Sequence, residues 1–391
     1  MDTQKIRLGL YAERLTLALA YGQFFMLPLY FKSLGLNEEF FGQVYAVGAV
    51  GTVLSVSSTA SMIRKFGLNR IAPLGGLVYF LGCMTFFIAS ITHSIFGYYL
   101  ASLINGIGWG LAFTIGPICI GMTATNENRI YHFSIYATFT TIGVGLAPVL
   151  ADCLTKYGNF GHASMFVVAI LFSALAFLFS YIVSKHNQLY QNMPIRQMSW
   201  LMEFKEVMKT PSVYFFAMGA FGACILTTIL YLQTTFAAAK GIDHKIFYIF
   251  YTLSVASSRI LLSRSLSHFA PQKTITYLVL LMLAGIGLLF FAEAEVVCYV
   301  GAALLFGAGY GLLFPIIQAQ SANYAPIHLQ ASVIVYFTLC FFIANYCFPY
   351  VGAFIAVHYS YDALLWVLIL AGLAELVTAL YFYRFIQNKT N

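Results

Sequence analysis

Charged side chains are scarce in this chain: Asp, Glu, Lys and Arg make up 8% of its 391 residues, against about 25% in soluble proteins. Apolar residues make up 61%, and the mean hydropathy is +0.83. Too few charges are present to cover a soluble globule of this length, which excludes a soluble single-domain enzyme. The net charge is +7, but no run of Lys and Arg exceeds two residues. We therefore predict no nucleic-acid partner and attribute the basic balance to loops on one side of a membrane.

Paired cysteines and catalytic motifs are also missing. The seven cysteines are odd in number and include no C-x-x-C pair, so we expect small buried hydrophobic residues rather than disulfides or a zinc site. The sequence contains no G-x-S-x-G, P-loop or H-E-x-x-H motif, each of which carries a specific chemistry. We predict no enzyme activity, no catalytic residue, no metal and no cofactor. Without a nucleotide site, an ion gradient or the gradient of a solute would have to supply energy.

Long apolar runs dominate what is present, and about 20 such residues suffice to cross a membrane as a helix. Twelve runs qualify, at residues 8–32, 41–63, 70–91, 95–122, 131–153, 163–184, 212–238, 245–267, 274–292, 297–322, 331–356 and 363–385. One long connection, residues 185–211, divides them into six plus six. We predict an all-α polytopic membrane protein with an N-terminal bundle (1–184), a cytoplasmic linker (185–211) and a C-terminal bundle (212–391).

The linker contains Trp200-Leu201-Met202-Glu203-Phe204, a pattern typical of an amphipathic helix at a membrane interface. A plain solvated linker is the alternative interpretation.

The positions of Lys and Arg predict the orientation. If the N-terminus is cytoplasmic, sixteen of the twenty basic residues fall on the cytoplasmic side, and only Lys32, Lys156, Lys240 and Lys245 fall outside. Cytoplasmic loops carry the excess of Lys and Arg in membrane proteins. We therefore expect both termini on the cytoplasmic side of the cell inner membrane.

The two halves contain an internal repeat. Asn105-Gly-Ile-Gly-Trp-Gly-Leu-Ala-Phe113 in the fourth run matches Phe306-Gly-Ala-Gly-Tyr-Gly-Leu-Leu-Phe314 in the tenth, with three glycines in register. The offset is 201 residues (306 minus 105), and Pro148 and Pro349 show the same offset. Parallel repeats of this kind are known in transporters. The sequence therefore predicts two pseudo-symmetric six-helix bundles.

Twelve spans in a six-plus-six division, a basic loop after the second span and both ends inside resemble the major facilitator superfamily over essentially the whole chain. That family's loop usually reads G-x-x-x-D-R-x-G-R-R. Here Lys65, Phe66 and Gly67 fit, Arg64 stands where the family has Asp, and Arg264 occupies the second-half copy. The resemblance implies a gating role for Arg64, Lys65, Gly67 and Arg264. Residues 307–315 with Gln318 are similar to the tenth helix of bacterial sugar-efflux and metabolite or siderophore permeases.

Polar and aromatic residues at membrane depth are the candidate substrate contacts, because hydrocarbon leaves polar groups unsatisfied. The resemblance places their helices around a central cavity, where they would suit a polar solute with some apolar surface. Helix–helix hydrogen bonding is the alternative for each one taken singly. The candidates are Gln23, Asn105, Trp109, Thr227, Tyr231, Tyr310 and Asn345.

Charged residues inside predicted spans form the last group of candidates. Arg259 lies just past the centre of the eighth run, and we interpret it as an anchor for an anionic part of the substrate. Glu13, beside Arg14, and Glu375 are the candidate proton-coupling carboxylates. A gate or helix-packing ion pair is the alternative for Glu13 and Arg259, and a structural carboxyl for Glu375.

Together these features predict a secondary active transporter that moves a small polar or amphipathic solute (a metabolite, sugar, siderophore or drug) by alternating access, coupled to protons. The expected partners are the small-molecule substrate, protons and the lipid bilayer, and we expect a monomer. A receptor or sensor with a transporter fold and no net transport is the alternative. Substrate, direction and coupling ion stay open.

Overall fold

A computed structural model describes residues 3–36, 38–157, 164–186, 200–266, 269–292 and 295–390. Fourteen α-helices occur in this part of the chain. They are α1 (Thr3–Gln23), α2 (Leu27–Ser33), α3 (Glu38–Phe66), α4 (Leu68–Thr92), α5 (Ile95–Thr123), α6 (Arg129–Tyr157), α7 (Ser164–His186), α8 (Trp200–Met208), α9 (Ser212–Ala239), α10 (His244–Leu266), α11 (Pro271–Leu289), α12 (Val296–Asn323), α13 (Gln330–His358) and α14 (Tyr361–Thr390).

Twelve helical segments correspond to the twelve predicted spans. Among the described residues, ten helices are long and apolar enough to cross a membrane, and they all fall on predicted runs. The two other runs are occupied by α1 with α2 and by α6. Large apolar side chains point outward from the bundles, among them Ile91, Leu261 and Val377, each more than 60% exposed. Such surfaces suit contact with lipid rather than water.

The first span is broken, although the sequence predicts one continuous helix over residues 8–32. Helix α1 ends at Gln23, a 3₁₀ turn covers Phe24–Met26, and α2 begins at Leu27. Pro28 lies in the first turn of α2, where it has no backbone N–H to donate and its ring would clash with the carbonyl of Phe24 in a continuous helix. Pro28 therefore favours a break here, although Pro117 and Pro315 lie inside unbroken helices.

The glycines of the first repeat copy let three helices pack closely. A Cβ on Gly106 would lie 2.0 Å from the carbonyl oxygen of Gly48 on α3, and one on Gly110 would lie 2.7 Å from a carbonyl of the same helix. A Cβ on Gly108 would lie 2.3 Å from the backbone nitrogen of Tyr79 on α4. Real Cβ atoms do not come so near, so α5 fits between α3 and α4 because these positions carry no side chain.

The second repeat copy packs in the same way. A Cβ on Gly307 would meet α10 at 2.9 Å from the carbonyl oxygen of Tyr251, and one on Gly309 would meet α11 at 2.7 Å from the nitrogen of Met282. Helix α12 therefore lies between α10 and α11 as α5 lies between α3 and α4. The sequence repeat reflects a repeated arrangement of three helices.

The chain forms two compact units. One contains Met1–Thr123 and Phe139–Trp200, and the other contains Ala124–Thr138 and Leu201–Asn391. The loop after α5 and the first ten residues of α6 therefore pack with the C-terminal helices. The domain boundaries predicted from the sequence, at 184/185 and 211/212, stay a prediction.

Helix α8 lies in the predicted linker, much of which falls outside the described residues. It packs on the start of α13: the Ser332 hydroxyl donates a hydrogen bond to the buried Glu203 carboxylate, and the rings of Phe204 and Tyr336 lie 5.6 Å apart. Val207, on the same side, is fully buried. The segment is a helix, as the amphipathic pattern predicts, and its buried side packs against protein.

Candidate functional site

An arginine surrounded by aromatic rings is the main feature inside the N-terminal bundle. Arg14 is 2% exposed, and its guanidinium carbon lies 5.2 Å from the ring centroid of Trp109 and 4.6 Å from that of Phe113. Its Nε donates a hydrogen bond of 2.6 Å to the Thr140 hydroxyl. These distances are those of cation–π contacts.

Two helices position this group by simple spacing. Trp109 and Phe113 are four residues apart on α5 and so share a face. Tyr21 follows Arg14 by seven residues on α1, which again places both on one face. The Tyr21 ring stacks on Trp109 with centroids 3.9 Å apart and planes inclined by 14°. We call Arg14, Tyr21, Trp109 and Phe113 the Arg14 cluster.

The other N-terminal candidates contact neighbouring helices. The Gln23 amide donates a 3.0 Å hydrogen bond to the backbone carbonyl of Ala147 on α6 and is fully buried. The Asn105 amide oxygen lies 3.8 Å from the Cys83 sulfur on α4 and accepts its hydrogen bond. Both contacts agree with the helix-packing alternative, and a substrate contact at either residue stays a prediction. Glu13 is buried at 5% exposure and interacts electrostatically with Arg14.

The C-terminal unit contains a second buried arginine. Arg259 is 5% exposed; its Nε donates to the Gly311 carbonyl at 2.5 Å, and its Nη1 donates to the Ala137 carbonyl at 2.9 Å. Gly311 follows Tyr310, the repeat partner of Trp109. Tyr310 is itself buried at 4% exposure and stacks between Phe306 and Phe314, each with its centroid 6.1 Å away.

The remaining binding candidates lie on α9 and α13. Thr227 is buried, and its hydroxyl donates to the carbonyl of Ala223 one turn earlier. Tyr231 is 47% exposed, and Asn345 is half-buried. Glu375 of α14 is fully buried. A substrate or proton role at each of these positions stays a prediction.

The residues to which the resemblance gives a gating role lie at helix ends. Arg64 donates a 2.9 Å hydrogen bond to the Ser61 hydroxyl, and the Lys65 amine lies 5.3 Å from the Phe66 ring centroid. Gly67 is the N-cap of α4 and has φ +81°, a backbone conformation that favours glycine. Arg264 is exposed in the last turn of α10.

Another arginine contact was not predicted from the sequence. Arg129, the first residue of α6, donates to the side-chain oxygen of Asn323 and, at 3.3 Å, to that of Gln330. Asn323 ends α12 and Gln330 begins α13. The available signal was the repeat, because Gln330 follows Arg129 by 201 residues, the offset of the glycine motif. The sequence places Arg14 beside Glu13 without assigning it to the site, and it does not distinguish Tyr21 from the other tyrosines in apolar runs.

Comparisons with known proteins agree with this architecture. The sequence profile described as Major Facilitator Superfamily matches residues 14–349. The Staphylopine export protein of Staphylococcus aureus is 23% identical over 305 residues, 72% of this chain and 74% of that protein. The uncharacterized protein Cj0987c of Campylobacter jejuni is 27% identical over 149 residues, 36% of this chain and 43% of that protein.

A solved structure with the same fold is that of the human organic anion transporter MFSD10 (TETRAN). It superimposes with a TM-score of 0.82 at 14% identity, and the match covers 97% of this chain and 100% of that one. At this identity the likeness shows the fold. The fold class predicted from the sequence is thereby confirmed, and the protein is an integral multi-pass membrane protein. Because the family profile matches most of the sequence, this chain belongs to the Major Facilitator Superfamily of membrane transporters.

Proposed function

We propose that the protein is a secondary active transporter that carries a small solute with an anionic group across the cytoplasmic membrane by alternating access, coupled to protons. In this proposal it works as a monomer with both termini in the cytoplasm. Trp109 and Tyr310 supply apolar contact surface to the solute, and Arg14 and Arg259 supply positive charge.

The observation that carries this proposal is that a buried arginine accompanies each aromatic residue of the repeat. Arg14 packs on the Trp109 ring, and Arg259 holds the carbonyl of Gly311, next to Tyr310. A charge at this depth costs at least about 2.5–3.5 kcal/mol on insertion scales. The carbonyl oxygens of Gly311 and Ala137 orient the Arg259 guanidinium. An anionic group of the solute that contacts these arginines would offset part of that cost.

The relationship to the Staphylopine export protein favours export of a small solute over uptake. Protons are the proposed coupling ion because Glu13 and Glu375 are buried carboxyls inside the bundles. Buried ionisable groups within a membrane are typical of proton relays.

A stability screen of the purified protein tests the substrate class. The screen uses hydroxycarboxylates, amino acids, aminopolycarboxylates and uncharged sugars. A bound solute stabilises the folded state by about 2.7 kcal/mol at a hundred times its dissociation constant, which raises Tm. We expect anionic solutes to raise Tm and sugars not to. The stabilising solute is then assayed for accumulation in proteoliposomes under an imposed pH gradient, where binding without accumulation favours the receptor alternative.

Substitutions at the two repeat aromatics test the site itself. Trp109→Ala and Tyr310→Ala should each weaken binding of the stabilising solute by about 1–3 kcal/mol, the range known for stacking on aromatic side chains. Trp109→Phe keeps a ring and should lose less. Trp366→Ala is the matched control, because Trp366 is 59% exposed on α14. If Trp109→Ala and Tyr310→Ala bind as tightly as the control, the two aromatics serve packing alone.

A further inference from the structure

Glu375 is a carboxyl group that forms no hydrogen bond with any described residue. It lies on α14 with no exposed surface, and neither of its oxygens has a hydrogen-bond partner among the described residues. An ionised carboxylate in an apolar interior costs many kcal/mol unless it is paired. Burial without a hydrogen-bond donor therefore favours the neutral carboxylic acid at this position.

Gly222 on α9 lies close to both the Glu375 carboxyl and the ring of Tyr310, the aromatic residue of the second repeat copy. A Cβ on Gly222 of α9 would lie 3.6 and 3.8 Å from the two oxygens of Glu375 and 3.3 Å from Cε2 of Tyr310. The carboxyl and the phenol ring thus approach the same point from α14 and α12, and glycine leaves that point unfilled. The Tyr310 hydroxyl also has no hydrogen-bond partner in the described part of the chain.

Among the described residues, the helices packed against α14 place no other charge beside Glu375. Helices α9, α11 and α13 pack against α14, and no charged or titratable group of their described residues interacts electrostatically with Glu375. Tyr310 of α12 interacts electrostatically with Glu375, Tyr251 and Arg259. Glu13 differs, because a charged side chain, that of Arg14, lies beside it.

Resting on the function proposed above, we propose that Glu375 is the group that binds and releases the coupled proton. The gap at Gly222 connects it to Tyr310 on the helix that carries the substrate site. On release, the carboxylic O–H bond breaks, the proton passes to water that enters the gap, and the carboxylate that remains accepts a hydrogen bond from the Tyr310 hydroxyl. The charge on Glu375 then depends on whether water reaches the gap. Access of water to the gap changes during alternating access.

Infrared spectroscopy of the purified, reconstituted protein tests this assignment without a substrate. At neutral pH we expect a C=O stretching band of a buried carboxylic acid that Glu375→Gln abolishes and Glu13→Gln leaves in place. Because Gln is nearly isosteric with a neutral Glu, Glu375→Gln should also keep the wild-type Tm. A wild-type spectrum with no such band, or a carboxylic-acid band that Glu375→Gln leaves unchanged, overturns the proposal.

Hydrogen exchange of the same band tests the path. In D₂O the carboxylic proton exchanges and the band shifts; Gly222→Ala, which fills the gap with only a small displacement of the Tyr310 ring, should slow this shift. Gly287→Ala is the matched control, since a Cβ there meets nothing within 4 Å. Equal exchange in both variants contradicts a path over Gly222.

Transport assays distinguish a wrong assignment of Glu375 from a wrong proposal of proton coupling. With the stabilising solute, Glu375→Gln should lose accumulation driven by a pH gradient while it keeps solute exchange across the membrane. If the wild-type protein itself shows no proton-driven accumulation, the proposed coupling is wrong. If the wild type is proton-driven and Glu375→Gln remains so, only the assignment of Glu375 is wrong.

Discussion

At the scale of single residues, Arg14 shows how an expensive charge is kept inside a membrane bundle. Its planar guanidinium lies against the rings of Trp109 and Phe113, and one N–H is used by Thr140. Arginine is suited to this because its charge is delocalised and weakly hydrated, whereas a lysine ammonium is compact and strongly hydrated. The Arg14 cluster therefore depends on the shape of the side chain as well as on its charge.

Arg14→Lys tests that dependence, because it keeps the charge and removes the planar group. We expect affinity for the stabilising anionic solute to fall by about 0.5–2 kcal/mol, the range of a cation–π contact. Titration calorimetry measures the change, and Arg70→Lys, at an exposed position of α4, is the control. Unchanged affinity in Arg14→Lys together with a lower Tm would assign Arg14 to packing instead of binding.

The sequence identifies such residues better than it identifies their partners. Arg14, Gln23 and Asn105 are recognisable as polar groups at membrane depth from their position in apolar runs. Which neighbour each one meets depends on how α1, α4, α5 and α6 are rotated about their axes, and apolar runs without polar faces do not encode that rotation. For this reason the Ala147 and Cys83 contacts, and the role of Tyr21, could not be derived beforehand.

At the scale of helices, the repeated glycines have a geometric explanation. Residues four apart share a helix face, whereas residues two apart point to nearly opposite sides. Gly106 and Gly110 therefore meet α3, and Gly108 meets α4 on the other side. A G-x-G-x-G motif in a membrane helix thus indicates a helix packed closely on both sides, and the second copy in α12 repeats the pattern.

Alanine substitutions in this motif should lower stability. In Gly106→Ala and Gly108→Ala the new Cβ meets backbone atoms, which cannot move aside as a side chain can. Overpacking of this kind costs about 1–3 kcal/mol and sometimes more. Thermal unfolding of the purified variants in detergent measures the loss. Gly42→Ala on α3, where a Cβ meets nothing within 4 Å, should melt like the wild type. Equal Tm values for all three variants would mean that α5 does not pack as described.

At the scale of the whole molecule, the duplication explains more than the helix count. Arg129 and Gln330 occupy equivalent positions in the two repeats, and they contact each other. The segment Ala124–Thr138 packs with the C-terminal helices although it precedes them by more than 60 residues. The all-α class and the positions of the long helices follow from apolar runs, and the structure agrees with both. The break at Pro28 depends on local sterics, and the packing of Ala124–Thr138 with the C-terminal helices depends on tertiary contacts. Hydropathy reports neither.

Orientation in the membrane is a further property of the whole molecule, and it rests on the excess of Lys and Arg on one side. We expect loops that follow odd-numbered spans to be outside. One of them follows the eleventh span, which is α13, and contains Tyr359, which is 74% exposed. In a background without the native cysteines, a membrane-impermeant maleimide should label Tyr359→Cys in intact cells. Lys209→Cys, exposed just before α9, should react only after the cells are permeabilised. The reverse pattern would place the 185–211 segment and both termini outside, and it would require a different account of the sixteen basic residues assigned to the cytoplasm.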